Sequence, residues 1–341
     1  MEFANILLEW YAVNKRDLPW RNTDDPYKIW LSEIILQQTR VAQGLPYYVR
    51  FVEEFPKIED LAKADEQKVL KLWQGLGYYS RARNLHFAAK QILELGSFPN
   101  NSKEIKKLKG VGDYTSAAIA SFAFNEDITL VDGNVYRVVS RYLDINKPIN
   151  ESDSYKFYNS LVQELKGNLH ASIFNQAVME FGALHCLPKN PDCANCVFRT
   201  SCLSSNGNWV NRPVKLNKLK KKNQNFVYLV ISQKDKVAIE KRTSGIWKEM
   251  YQYPLIESGK DLNNENIIEL IGEHLKNESF KVKKISNIYK HVLTHINIKA
   301  CFVEVSLSKK RMQQYKFINL RELEELPIPR LIEKYIEDSY M

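Results

Sequence analysis

The chain has 341 residues, enough for about two domains, with 44% apolar and 26% charged residues and a formal net charge of +9. A balance this basic suits an anionic partner, nucleic acid first and an anionic membrane surface second. No apolar run reaches the length of a bilayer span, the opening MEFANILLEWYAVNKR lacks the basic start and cleavage site of a secretory signal, and the five cysteines of a chain expected in the cytoplasm point to thiols or metal ligands rather than disulfides.

That opening stretch predicts an amphipathic helix, and the pattern stays helical to about residue 203. Apolar residues recur at helical spacing in Phe51–Phe55, Val69–Trp73, Leu85–Ile92 and Tyr155–Leu165. Leu45-Pro46, Gly75–Gly77, Phe98-Pro99 and Gly110–Gly112 punctuate it. Ser102 and Asp153 stand where helix caps are expected. Leu203–Asn225 then carries six Lys/Arg and no acid, and reads as a connector that lies along phosphates or in solvent. From Phe226 the period turns to two. FVYLVIS and KVAIEKR predict a hairpin around QKD. NNENIIELIGEHLKN predicts a helix, KVKKISNIYKHVL and INIKACFVEVSL predict strands, and PRLIEKYIEDSYM predicts a closing helix. The expected organisation is multidomain: an all-α domain over 1–203, a basic connector over 204–225 and a small α+β domain over 226–341.

Three local patterns carry chemistry. In KLKGVGDYTSAAIASFAF, Gly110-Val111-Gly112 joins the helix SKEIKKL to a second one starting near Thr115. Glycines let the backbone turn tightly and approach a partner, and the amides opening the second helix can hold a phosphate oxygen. Glu33 lies among Trp30, Leu31, Ile34, Ile35 and Leu36. Burial there would raise its pKa and keep a proton on it near neutrality, as a general acid requires; on an exposed helix face it would be an ordinary glutamate. Cys186, Cys193, Cys196 and Cys202 follow a C-x6-C-x2-C-x5-C spacing. Four thiolates in one loop can enclose one metal centre. A zinc ribbon offers two C-x-x-C knuckles and this run has one, so the spacing leaves zinc open and favours an iron–sulfur cluster. Cys301 stands alone in a strand and reads as a small buried hydrophobe.

The cysteine spacing matches the cluster loop of the endonuclease III-like helix–hairpin–helix DNA glycosylases. WLSEIILQQTRV, LPWR (Leu18–Arg21), GLGYYSRARNLH (Gly75–His86), the hairpin, and VDGNVYRVVSRY with Asp132 together resemble the MutY-type adenine DNA glycosylases. The resemblance implies a helical helix–hairpin–helix catalytic domain with one [4Fe–4S] cluster, followed by a Nudix-like domain. It implies a monomeric, monofunctional adenine glycosylase of base excision repair, acting in the cytoplasm on nucleoid DNA. Such an enzyme flips adenine mispaired with 8-oxoguanine or guanine out of double-stranded DNA and hydrolyses its N-glycosidic bond.

The resemblance also assigns residues. Glu33 protonates the adenine, Asp132 stabilises the sugar cation, and Tyr114 and Asn134 support the site. Bifunctional relatives carry a lysine at the Tyr114 position, whose amine forms a Schiff base; a phenol cannot. Lys109 is the nearby amine for any weak lyase activity. Gly110, Val111 and Gly112 grip the DNA backbone, Gln38 and Tyr78 are wedges, Arg21 contacts the purine or a phosphate, and Lys189 and Arg199 offer charge to DNA. Trp20 is expected in the core. WKEMYQYPLIE resembles a Nudix-like segment, and Leu293-Thr294-His295 falls where the family commonly has Phe-Ser-His, keeping a hydroxyl but losing the aromatic face. The set of glutamates that binds metal in a Nudix hydrolase is missing from NNENIIELIGEHLKN, so this domain is expected to recognise the lesion only. Tyr114 and the second domain speak against a pyrimidine glycosylase/lyase. Glu33 and Asp132, which would repel phosphate, speak against a non-catalytic binding module.

Overall fold

The structure, a computed structural model, describes residues 2–216, 221–276, 279–307 and 315–340. They fall into two compact units, Met1–Lys63 with Asn84–Asn217, and Ala64–Arg83 with Lys218–Met341. In chain order the helices are α1 (Glu2–Asn14), α2 (Pro26–Leu36), α3 (Val41–Glu54), α4 (Ile58–Lys63), α5 (Glu66–Leu72), α6 (Ser80–Leu95), α7 (Ser102–Ile105), α8 (Asp113–Phe124), α9 (Gly133–Tyr142), α10 (Ser154–Lys166), α11 (Ala171–Leu184), α12 (Asn264–His274), α13 (Leu320–Glu325) and α14 (Arg330–Tyr340). Among the described residues, no helix is long and apolar enough to cross a membrane.

The first unit is helical. Its α1 buries Phe3, Ala4, Leu7 and Tyr11, one stripe of an amphipathic helix. Pro26 opens α2 and the Asp25 carboxylate accepts from the Tyr27 N–H, a first turn whose donors are satisfied locally. From Ile29 to Ile35 every residue of α2 is buried, and so is every residue of α8 from Thr115 to Ser121. Helices buried on all faces form the centre of a domain, and these two pack on each other. Ala117, Ala118 and Ala120 keep the packed surface of α8 shallow. The α9–α11 and α1–α11 contacts complete the core around Val135, Val139, Phe174 and Val178.

Several local expectations change. The cap of α7 is Asn101, whose side chain accepts from the Glu104 N–H. Ser102 turns to Glu126 instead, through its N–H and hydroxyl at 2.7 and 2.6 Å. The helix predicted over SKEIKKL stops at Ile105, and its successor starts at Asp113. Asp153 precedes α10, but its carboxylate pairs with Lys147 at 3.0 Å rather than capping. The stretch expected to be a connector is largely structured. Ser204 is buried, Asn208–Asn211 form a 3₁₀ turn, and Arg212 pairs with Asp144 at 3.0 Å. These contacts hold it to the first unit, because burying a guanidinium is costly unless an anion pairs with it. Lys222–Asn225 already belong to a strand, and Asn217–Lys220 lie outside the described residues.

The second unit is α+β. Its strands are β1 (Lys222–Gln233), β2 (Lys236–Lys241), β3 (Tyr251–Gln252), β4 (Leu255–Ser258), β5 (Phe280–Ile285), β6 (Tyr289–Val292), β7 (Ile296–Leu307) and β8 (Lys316–Asn319). They form one mixed sheet of order β3-β2-β1-β7-β5, in which β4 also pairs with β1, β6 with β7 and β8 with β2. The predicted hairpin is present, with Gln233 opposite Lys236. The long pairing is parallel, β1 with β7, from Lys222↔Ile296 to Ile231↔Val305. That explains the unbroken buried run Asn225–Ile231: a central strand is covered on both faces. Val227, Leu229 and Ile231 pack with Ile267 and Ile271 of α12. The alternate residues form an aromatic layer, in which Phe302 lies flat on Tyr335 of α14 at 3.9 Å and on Tyr228 at 4.9 Å. Residues 64–83 belong here through Lys71 Nζ, which donates to the Glu324 carbonyl, and through Gln74 Oε1, which accepts from the Ile328 N–H at 3.2 Å.

Candidate active site and cysteine pocket

Glu33 sits inside the α2–α8 contact and is 7% exposed, so it is not a surface glutamate. Tyr114, in the first turn of α8, donates its hydroxyl to Glu33 Oε2 at 2.7 Å. Burial pushes the Glu33 pKa up to about 7; the Tyr114 bond and the Arg21 charge pull it down, and the Asp132 charge adds to the rise. The Tyr114 phenol moves well above its usual range for the same reason, burial first and the neighbouring carboxylates second.

Asp132 is the N-cap of α9. Its Oδ1 accepts from the Val135 N–H at 2.7 Å and its Oδ2 from Asn134 Nδ2 at 2.8 Å. Both oxygens accept, which suits a carboxylate. Burial raises its pKa, while those bonds and the Arg137 charge hold it back. Arg137, not singled out from the sequence although it follows in the same VDGNVYR run, fixes Asn134. Its guanidinium donates to Asn134 Oδ1 at 2.9 Å, to the Gly182 carbonyl at 2.6 Å and to the Cys186 carbonyl at 2.8 Å. Gly182 lets α11 come this close, since a Cβ there would stand 2.7 Å from Asn134 Cβ.

Arg21 is committed. Its guanidinium donates to Glu180 Oε2 at 2.7 Å, and Arg16 binds the same carboxylate at 2.6 Å. Burial acts to raise the Glu180 pKa, but the two arginines overcome it and hold the pKa at about 2. Glu180 also escaped the sequence reading, because nothing in NQAVMEFGAL marks which helix face meets Arg16 and Arg21. Trp20 is buried edge-on to Tyr48, as expected of a core residue.

The candidate wedges share one backbone feature. Gln38 in the first unit has φ 58° and Tyr78 in the second has φ 48°, a left-handed conformation that costs a non-glycine residue roughly 1 kcal/mol or more and clusters at functional sites. Both side chains face solvent. In the hairpin, Gly110 has φ 80°, and a Cβ there would meet Asn84 at 2.7 Å. Val111 is buried, and Gly112 caps α8 without a side chain. Lys109, Lys189 and Arg199 are exposed.

Within the second unit, Leu293-Thr294-His295 forms the tight turn between β6 and β7, closed by the Leu293 N–H to the Ile296 carbonyl at 2.8 Å. The Thr294 and Tyr78 hydroxyls are hydrogen-bonded. Trp247 packs edge-on to Phe226 and His291. Glu269 and Glu273 of α12 are taken up by Lys260 at 2.8 and 3.7 Å.

Cys186, Cys193, Cys196 and Cys202 line one cavity, with Phe3, Tyr142, Phe181 and Phe198 around them and Arg141 beside them. Among the described residues, no three His, Cys, Asp or Glu side chains are drawn together as ligands of one ion. The donor set nevertheless fits a cluster held by four thiolates. Burial and mutual repulsion push the Cys196 thiol up to about 11 and raise Cys193 and Cys202, so deprotonating these three needs a bound cation. Donors suited to thiolate sulfur are in place: Arg141 Nη1 at 3.3 Å from Cys186 Sγ, and the Phe198 N–H at 3.4 Å from Cys196 Sγ.

Residues 31–164 match the HhH-GPD superfamily of base excision DNA repair proteins, and residues 226–338 match the NUDIX domain. The chain is 36% identical over 308 residues to the adenine DNA glycosylase of Buchnera aphidicola subsp. Baizongia pistaciae, covering 87% of this chain and 84% of that one. It is 32% identical to the adenine DNA glycosylase of Buchnera aphidicola subsp. Schizaphis graminum, covering 98% of both. A solved thermostable thymine-DNA glycosylase superposes on 60% of this chain and 95% of its own, with 30% identity and a TM-score of 0.54. The helical unit with its hairpin and buried acid, the Nudix-like second unit and these full-length relatives agree: the chain belongs to the MutY-type adenine DNA glycosylases, DNA N-glycosylases of base excision repair.

Proposed function

We propose that the protein is a monofunctional, monomeric enzyme that takes adenine mispaired with 8-oxoguanine or guanine out of the DNA duplex and hydrolyses its N-glycosidic bond, in the cytoplasm on nucleoid DNA. The observation that carries this reading is Glu33, a buried carboxylic acid with a pKa of about 7 and a hydroxyl to orient it. Adenine leaves deoxyribose poorly. A proton given by Glu33 to a ring nitrogen makes it a good leaving group, and the sugar develops oxocarbenium character. Asp132, fixed by Val135 and Asn134, then supplies the opposing negative charge. Tyr114 occupies the place of a lyase lysine, so the strand stays intact.

The exposed, left-handed Gln38 and Tyr78 suit insertion into the gap left by a flipped base. Arg21, held on Glu180, acts on the Glu33 pocket through its charge rather than as a free phosphate ligand. Gly110–Gly112 hold the DNA backbone, and Leu293-Thr294-His295 read the base opposite. The four cysteines hold one [4Fe–4S] cluster, which when bound supplies a rigid, charge-compensated anchor for their loop.

The test is base release from a duplex with one adenine opposite 8-oxoguanine, developed with and without hot alkali, with adenine opposite thymine as control. Cleavage only after alkali and only at the mispair is expected. No release from cluster-bearing protein that binds the duplex would favour a binding module instead. Iron and a visible absorbance band are expected of anaerobically purified protein; zinc in their place would overturn the cluster.

A further inference from the structure

Two consecutive residues of the hairpin's second helix reach α2, one turn apart. Tyr114 bonds Glu33, and the Thr115 hydroxyl accepts from Gln37 Nε2 at 3.1 Å. Glu33 and Gln37 are four residues apart, so they lie on one face of α2 and its C-cap. Thr115 is 3% exposed, which keeps water from replacing the bond.

Gln37 is immediately followed by Gln38 at φ 58°. A left-handed residue persists where its surroundings over-determine it. Here the flanks are pinned on both sides. The Thr39 N–H donates to the Leu36 carbonyl at 3.1 Å, and the Thr39 hydroxyl donates to the Gln37 carbonyl at 3.4 Å. The Gln37 amide is anchored on α8, three residues beyond Gly112. Closely packed helices transmit displacement rather than absorb it.

We propose that Thr115 is a positioning residue through which the Gly110–Gly112 hairpin sets the Gln38 turn, so that seating the hairpin on a DNA backbone and inserting the wedge are one coupled event. This rests on reading Gln38 as a wedge and the hairpin as the backbone grip.

The experiment uses cluster-bearing protein and a duplex with 2-aminopurine opposite 8-oxoguanine, whose fluorescence rises as the base leaves the stack. Thr115→Val removes the hydroxyl and keeps the shape. Its fluorescence rise should be slower by about tenfold, with affinity for an undamaged duplex unchanged, and Thr115→Ser should restore the rate. A merely structural role would follow the shape of the side chain, which Thr115→Val keeps and Thr115→Ser does not, rather than its hydroxyl. A wild-type rate in Thr115→Val, or no rescue by serine, overturns the proposal. Should Thr115→Val fail to fold, Gln37→Met removes the same bond from the other side, and a wild-type rate there overturns it equally. Gln38→Ala separates the two layers. If its rise is undiminished, the wedge reading itself falls and the coupling with it; if Gln38→Ala is slow and Thr115→Val is not, only the coupling falls.

Discussion

Two glutamates of the helical unit are almost equally buried, Glu33 at 7% and Glu180 at 1% exposed, yet they stand at opposite ends of the carboxylate range. Glu180 meets two guanidinium groups and holds a pKa of about 2. Glu33 meets a phenol and rises to about 7. Burial pushes both upward. A guanidinium brings a full charge that reverses the push, whereas a phenol brings one hydrogen bond and no charge. The partner, more than the depth, makes one carboxylate a fixed anion and leaves the other able to hold a proton near neutrality.

The comparison breaks most sharply at Glu33→Gln. Base release should fall by about 10²–10⁴-fold with duplex binding retained; unchanged turnover would remove Glu33 from the mechanism. The same variant should be the more stable protein in alkali. The folded pKa of Glu33 lies above its ordinary 4.5, so its favourable contribution is complete below pH 4.5 and is lost as pH rises through about 7. The difference amounts to roughly 3 kcal/mol, and glutamine escapes it. A Tm at pH 8 no higher than that of wild type would contradict this sign.

Glu180→Ala strikes the other carboxylate and leaves Arg16 and Arg21 without it. Removing one partner of a buried pair costs about 3–5 kcal/mol. The Arg16 side chain is 32% exposed, so the low end is expected, read as a lower urea midpoint. Glu180 titrates below its ordinary value, so its contribution is present above pH 4.5 and is lost as pH falls toward about 2. Mutant and wild type should converge in acid; a gap independent of pH would point to packing instead of charge.

Gly182→Ala tests the support of Asp132. Its Cβ would crowd Asn134, and overpacking of this kind costs about 1–3 kcal/mol. The kcat should drop while the absorbance of the cluster is kept, and an unaltered kcat would show that α9 can move aside. The smallest effect belongs to Tyr114→Phe. Base release should decline above pH 7 as Glu33 loses its proton. Because the Tyr114 bond lowers the Glu33 pKa, its removal should shift that limb to higher pH, by less than about one unit. A shift to lower pH would reverse the assigned role of the phenol.

Much of this was legible from short-range pattern. The glycine hairpin, the four-cysteine loop, the strand hairpin at Gln233–Lys236 and the helix around Glu33 each depend on residues close in sequence, where spacing alone sets which side chains share a face. The resemblance to a known family rested on the same short stretches. Caps were less legible: Asn101 and Ser102 are both good capping residues, and Glu126, 24 residues from Ser102, decides between them.

The sequence by itself determined the two kinds of architecture, the turn chemistry and which carboxylates and thiols were available. Tertiary structure alone decided their states. Glu33 holds its proton because the α2–α8 contact buries it and gives it a phenol rather than a guanidinium as its hydrogen-bond partner. Glu180 became an anion because Arg16 and Arg21 return to α11 from 164 and 159 residues away. The parallel pairing of β1 with β7 and the grouping of residues 64–83 with the second unit belong to the same class. Periodicity reports which face of an element is apolar, but electrostatics and strand pairing depend on what arrives at that face from far along the chain.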